Sequence, residues 1–449
     1  MTSKRKYRPR TKDELSELVC DTTICLGDID TSAVTDMSGL FCPPGFEFYC
    51  PRDNFAGIET WDTSRVTKMG SMFCGAPGFN EPIGCWNTSH VTDMSWMFAD
   101  CSSFNQDIGR WDTSAVATVR GMFSNCVLFN RDIGRWNTSA VADMREMFRN
   151  AKDFNQDIGG WNTSNVMDMQ KMFCNAKDFN QDIGAWDTSN VRFMQEMFRD
   201  AESFDHDIGR WNTSKVRFMQ EMFCGARKFN HGIGAWNTSK VRDMRQMFCN
   251  AESFNQAIGR WDTSQVRDMS GMFDGAIFFN QKIGGWDTRN VRDMSKMFRD
   301  AVSFNRRIDR WNTCRVGSMA EMFLNASAFN RPLPENFGAA TDLSRMLAGA
   351  VSFSCSVRKL LSSAAHKDVK SNDILLGAAN RPGSRRDPQR KKQSRGSGRR
   401  KETHGDSNEQ KKAHPENLRR ACRAVVGSRG PSRGRRHLGH HRSEPSVRS

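Results

Sequence analysis

The 449-residue sequence has no run approaching the eighteen or more apolar residues of a membrane span, and its basic start, MTSKRKYRPRTKDELSELVC, lacks the apolar centre of a secretory signal. An intracellular protein, cytoplasmic or nuclear, is the expectation from those two absences. There is no C-x-x-C pair, nucleophile elbow, phosphate loop or His-Glu-x-x-His pattern. In the periodic region the histidines are His90, His206 and His231, each alone at a variable place. No catalytic residue, cofactor site or metal site is therefore assigned, and an enzyme is not expected. Acidic excess is missing too. Residues 351–449 hold 25 Lys and Arg against 8 Asp and Glu, out of 66 and 51 in the whole chain, so the preceding 350 residues are nearly neutral and the basic charge lies in the tail.

What the sequence has is a period. Tryptophan stands at 61, 86, 111, 136, 161, 186, 211, 236, 261, 286 and 311, every 25 residues without a slip. Counting each Trp as position 1, the unit reads W-[DN]-T-S-x-V-x-x-M-x-x-M-F-x-x-A-x-x-F-N-x-x-I-G-x. A fixed short period marks a repeat solenoid with one continuous core. Positions 9, 12, 13 and 16, such as Met169, Met172, Phe173 and Ala176, have the spacing of one helix face. The spacing predicts a two-turn helix there, with Asp at position 8 as its N-cap and Glu146 and Glu196 at the capping-box place. Around the tryptophan, Ile-Gly-x-Trp-x-Thr predicts a turn and a short extended segment, so that successive coils form a narrow parallel sheet. IDTSAVTDMSGLF at 29–41 and FGAATDLSRMLAGAVSF at 337–353 are divergent terminal copies. The organisation expected is a basic lead-in (1–28), an N-terminal cap repeat (29–60), eleven repeats (61–336), a degenerate C-terminal cap (337–353) and a disordered basic tail (354–449).

FNQDIGRWDTSAV followed by MFSNC, and WDTSQVRDMSGMFDGA at 261–276, resemble the 25-residue repeats of BspA-like leucine-rich-repeat proteins, a group described from mycoplasma surface proteins of unknown function. The resemblance covers about 29–353. It implies a leucine-rich-repeat-like right-handed solenoid, adhesion or protein recognition as its role, and the cell surface as the alternative location.

Each repeated position has a structural reading beside a functional one. The tryptophans read as core, because Ile29 and Phe337 stand near their place in the caps. Asn162 and four other asparagines at position 2 form Asn-Thr-Ser sequons, yet Asp187 and four other aspartates hold the same place. An Asx turn accepts either residue and a glycan only one, so the turn is the expectation. Asn at position 20 reads as a side-chain amide ladder. Asp107, Asp132, Asp157, Asp182 and Asp207 line up at position 22, where cations would collect if the column is more than a solvated edge. Arg192, Arg217, Arg242, Arg267 and Arg292 line up at position 7, and these five are the candidate partner-binding residues because they persist through five consecutive coils. Of the fourteen cysteines, Cys101 and Cys126 replace a core alanine, whereas Cys74, Cys174, Cys224 and Cys249 share position 14 with arginines and are expected to be exposed. Cys20, Cys25, Cys42 and Cys50 match no zinc template, leaving a cap disulfide as the alternative. The function expected is a scaffold recognising a protein or glycan. The alternative is nucleic-acid or anionic-surface binding through the tail, RRDPQRKKQSRGSGRRK in part, with KRKYRPR at 4–10 as a further basic run.

Overall fold

The computed structural model describes residues 6–42, 52–337, 339–365 and 369–378. The chain forms tandem 25-residue coils stacked so that each repeat position makes a column. Single-residue parallel bridges mark the register, running from Asp36 to Lys68, Asp93, Thr118, Asp143 and Asp168, and on to Ser318, Asp342 and Lys370.

The two-turn helix expected over positions 9–16 does not form. In the coil of Trp161, the N–H groups of Met169, Lys171, Phe173 and Asn175 donate across to Phe193, Gln195, Met197 and Arg199 of the next coil, at 3.1, 3.0, 2.9 and 2.6 Å. The residues between them close tight turns within the coil: Met172 donates to Met169, Cys174 to Lys171 and Ala176 to Phe173. Alternate amides thus build sheet-like bonds between coils, and those between them close three-residue-spaced turns or, at Gln170, bond the Asp168 carboxylate. The backbone reason lies at positions 11 and 15, where φ is positive (Lys171 57°, Asn175 58°), as the third residue of a type II turn requires. A right-handed helix cannot contain that conformation. Glu146 and Glu196 accordingly sit at φ 56° and are not capping-box residues, and Asp168 caps a turn, accepting from the Gln170 N–H at 2.9 Å.

Nor does the sheet lie at the tryptophan. The bridges fall at position 8, and the Trp161 N–H turns back to the carbonyl of Ile158, three residues before it, at 3.1 Å. At position 24 Gly159 supports the adjacent close approach, since a Cβ there would lie 2.4 Å from the Asp182 carbonyl oxygen of the next coil.

The inward set is the one the period names. Trp161, Val166, Met169, Met172, Phe173, Ala176, Phe179 and Ile183 are buried, with their equivalents above and below. Phe148 and Phe154 stack at 3.9 Å within one coil, Phe148 and Phe173 at 5.7 Å between coils, and Trp136 and Trp161 at 6.4 Å with rings 2° from parallel. Side-chain hydrogen bonds run through the same interior. Each of the eleven position-1 indoles donates to a main-chain carbonyl of the preceding coil, as Trp161 does to Ile133 at 3.1 Å. Thr163, buried at position 3, donates to Asp187 O at 3.0 Å, and Thr138 and Thr188 repeat the contact. This threonine column carries a bond that the sequence analysis did not assign.

Both ends are covered. Helix α1 (Lys12–Cys20), N-capped by Thr11, buries Leu15 and Val19, and the Arg52 guanidinium donates to the carbonyls of Val19, Asp21 and Ile24. At the other end the repeat pattern does not stop at Phe353 as expected. Helix α2 (Arg358–Ala364) follows, and residues 369–378 add a further partial coil: Leu343, Arg345, Leu347 and Gly349 donate to Lys370, Asn372, Ile374 and Leu376. Ile374 and Leu375 replace the Met-Phe pair and are buried, so the expected disordered tail is ordered over this stretch. The rest of the tail, from residue 379, and Cys50 of the suggested cap disulfide lie outside the described residues. Among the described residues no helix is long and apolar enough to cross a membrane.

Candidate binding surface

The Arg192–Arg292 column is built by its neighbours in sequence. Position 2 makes an Asx turn, with Ser164 N–H donating to Asn162 Oδ1 at 3.1 Å and Ser189 N–H to Asp187 Oδ1 at 2.9 Å. The Val166 N–H then closes on Thr163 O, burying Val166 and turning position 7 outward. Each arginine N–H bonds the position-7 carbonyl one coil before: Arg192 to Met167 at 2.9 Å, Arg217 to Arg192 at 3.1 Å, Arg242 to Arg217 at 3.0 Å, Arg267 to Arg242 at 2.9 Å and Arg292 to Arg267 at 2.8 Å. All five side chains are exposed, and none of them is in a salt bridge among the described residues. The structure therefore brings the five together as one column.

Beside this column lies an apolar edge that the sequence analysis passed over. Met167, at position 7 in the coil before Arg192, is 48% exposed. Phe193 and Phe218 interrupt the aspartates of position 8, half-buried, with rings stacked at 6.0 Å. The signal was present as two consecutive departures from Asp at one repeat position. Where Asp returns, at 243 and 268, the carboxylates are committed to turns, accepting from Arg245 and Ser270 N–H groups at 3.0 and 2.9 Å. Burial pushes Asp243 above the ordinary carboxylate range, Asp268 adds repulsion, and the Arg245 N–H and guanidinium oppose both.

The other columns resolve into structural roles. Asp157 and Asp182 at position 22 accept from the N–H of Gly159 and Gly184 at 2.9 Å, closing the turn before the tryptophan. At position 20 the expected ladder between identical asparagines does not form: Asn155 Oδ1 accepts the backbone N–H of Asn180 and the Gln181 side-chain amide, both at 2.9 Å. Only an acceptor is needed, which explains Asp205 in this column, receiving Asn230 N–H at 3.0 Å. The true amide ladder is at position 15, where Asn175 Nδ2 donates to Asn150 Oδ1 at 2.9 Å. His206 and His231 take a place that Gln holds in other coils, each with Nε2 3.0 Å from a main-chain carbonyl oxygen.

Cys101 and Cys126 are buried as expected, their thiols donating to Phe73 and Phe98 carbonyls at 3.0 and 2.9 Å. The position-14 thiols correct the expectation of exposure: Cys74, Cys174 and Cys249 are buried and Cys224 is half-buried. A thiol is short enough to lie beneath the coil surface, whereas Arg199 at the same position extends to Glu196 and Glu221 at 3.1 and 2.9 Å. Burial pushes the Cys74 thiol up to about 12 and the Cys174 thiol up to about 11, which disfavours the reactive thiolate. Cys20, Cys25 and Cys42 are free.

Residues 46–160, 143–260 and 250–360 each match the family described as "Mycoplasma protein of unknown function, DUF285". Together the three matches span most of the chain, which belongs to that family. No curated protein matches it. Among solved structures, a plant peptide hormone receptor, RGFR1 in complex with RGF2, aligns with 70% of this chain and 76% of its own at 8% identity, with a TM-score of 0.14, too low to carry an argument.

Proposed function

We propose that the stack is a non-enzymatic solenoid scaffold that recognises an acidic protein or glycan through the surface built on Arg192, Arg217, Arg242, Arg267 and Arg292. The observation that carries this reading is the column itself: five guanidinium groups, exposed and unpaired, held one coil apart by consecutive main-chain hydrogen bonds. Like charges so placed repel one another, and an acidic partner relieves that repulsion while gaining several contacts at once. Met167, Phe193 and Phe218 supply an apolar edge at the start of the column, where binding energy concentrates in protein interfaces. A protein partner therefore fits better than a glycan. The likeness of the repeats to BspA-like leucine-rich-repeat proteins supports a recognition role of this kind.

Affinity capture comparing wild type with R217E/R242E/R267E, tail intact in both, tests it. The reversed column is expected to lose the partners that wild type retains, and direct binding of a recovered partner should weaken as salt rises. Recovery of the same partners by the reversed variant, at the same strength, removes this column as the site.

A further inference from the structure

Position 22 changes sign along the stack. Its five consecutive aspartates end at Asp207, and the next coils carry Gly232, Ala257, Lys282 and Arg307. Position 21 changes in the same coils, from Gln281 to Arg306 and Arg331. The result is a concavity of about 520 Å³ whose rim includes Lys282, Arg306, Arg307, Arg310 and Arg331, with Asp309 as its one carboxylate. Gly284 and Gly285 open it: a Cβ at 285 would meet nothing within 4 Å, while at 284 it would strike the Arg307 carbonyl at 2.5 Å.

The charges are not cancelled. Arg307 is committed to Asp309, with Nη2 to Oδ2 at 2.7 Å. Lys282, Arg306, Arg310 and Arg331 make no ion pair among the described residues. Two of the four are held in place, since Arg306 Nε donates to Asn280 O at 2.8 Å and Arg331 Nε to Asn305 O at 3.1 Å. Each keeps its remaining guanidinium N–H groups for a second partner, and an anchored fork loses little freedom on binding an oxyanion. In the coils of Trp136 and Trp161 the equivalent places hold Gln156, Asp157, Gln181 and Asp182, and Arg131, anchored like Arg306 by its Nε on Asn105 O at 2.7 Å, is followed by Asp132 where Arg306 is followed by Arg307.

We infer that the concavity around Lys282, Arg306, Arg310 and Arg331 binds a small ligand carrying two or more phosphate or sulfate ester groups. Its volume is in the range of small-molecule sites, and its rim carries four cations free to meet more than one oxyanion. The tryptophans of these coils, Trp286 and Trp311, are 4% and 3% exposed and give no stacking platform, which disfavours single-stranded nucleic acid.

Isothermal titration of the full chain with inositol hexakisphosphate and with sucrose octasulfate, at about 0.15 M salt, tests the inference and separates phosphate from sulfate. K282E/R310E alters the rim, and R110E/R135E makes the same charge change at position 25 of distant coils. One site per chain is expected for at least one probe, weakened about tenfold or more in K282E/R310E and unchanged in R110E/R135E. Equal weakening in both variants would assign binding to net charge. Unaltered binding in K282E/R310E, or no binding of either probe, overturns the site. Near-equal thermal midpoints of the three proteins guard against a folding defect. Position 7 is untouched, so the outcome leaves the arginine-column reading to its own test.

Discussion

The indole N–H of Trp161 donates to the Ile133 carbonyl oxygen of the preceding coil at 3.1 Å, in an interior where Trp161 is 4% exposed. The tryptophan is thus both a packed rung and a polar tie between coils. Trp161→Phe retains most of the packing and removes one of the two donors to that carbonyl, which still accepts the Trp136 N–H at 3.1 Å, for an expected cost of about 0.5–1.5 kcal/mol. Trp161→Ala adds a cavity, for about 3–5 kcal/mol. Urea unfolding reads the difference, and hydrogen exchange should show the loss concentrated in coils 136–186, because each coil touches only its neighbours. A Trp161→Phe variant as stable as wild type would show that the indole bond contributes nothing.

The tryptophan ladder, the position-2 turn and the inward set were legible because each follows from what a residue type can do at a recurring place. The helix was misread because positions 9, 12, 13 and 16 also face inward when the chain makes successive tight turns; the periodicity reports burial, and the destination of the amides decides between the two. A sharper signal stood at position 15, where Gly75, Asp100, Asn125, Asn150, Asp200, Gly225 and the rest are all Gly, Asn or Asp, the residues that accept positive φ. Burial of Cys174 beside Arg149 and Arg199 in one column was hidden for a different reason. Side-chain length sets exposure at a half-buried position, and composition alone does not show how far a side chain must reach. The basic concavity required the third dimension, because Lys282 and Arg306 meet only across the coil boundary.

That column gives a test that separates the two backbones. In a helix, Asn150→Ala is stabilising. With φ at 57°, alanine is expected to cost about 1–2 kcal/mol, plus the two ladder bonds of Asn150, given to Asn125 and received from Asn175, whereas Asn150→Gly should cost less than alanine. Thermal or urea midpoints rank the three proteins, and a more stable alanine variant would contradict the turn geometry.

Asn162 and Thr163 are adjacent in a sequon but do different work. Asn162 supplies one acceptor to Ser164 N–H, a role Asp187 fills in the next coil, so Asn162→Asp should alter stability by less than about 0.5 kcal/mol. Thr163 donates its buried hydroxyl to Asp187 O at 3.0 Å, and Thr163→Val should cost about 1–2 kcal/mol by leaving that oxygen unpaired. Paired unfolding curves check the order, and a larger loss from Asn162→Asp would place the turn's importance in the amide group itself.

Asp243 gives the stack a pH dependence of definite sign. Burial holds its carboxyl above the ordinary range, Asp268 pushes the same way, and the Arg245 N–H and guanidinium pull it down without prevailing. The folded coil therefore holds the proton more tightly than the unfolded chain. Stability from this group declines as pH rises through the interval between the ordinary carboxylate value and the raised one, and stays lower above it. Asp243→Asn keeps an oxygen for Arg245 N–H at 3.0 Å and removes the buried charge. The variant should match wild type at acid pH and be equal or more stable at neutral pH, by no more than about 1 kcal/mol, since its attraction to the exposed Arg245 is lost as well. Urea midpoints taken from about pH 3.5 to 7 give the comparison. A variant less stable than wild type at neutral pH, with no difference in acid, would mean that the Arg245 attraction outweighs burial and that the sign is reversed.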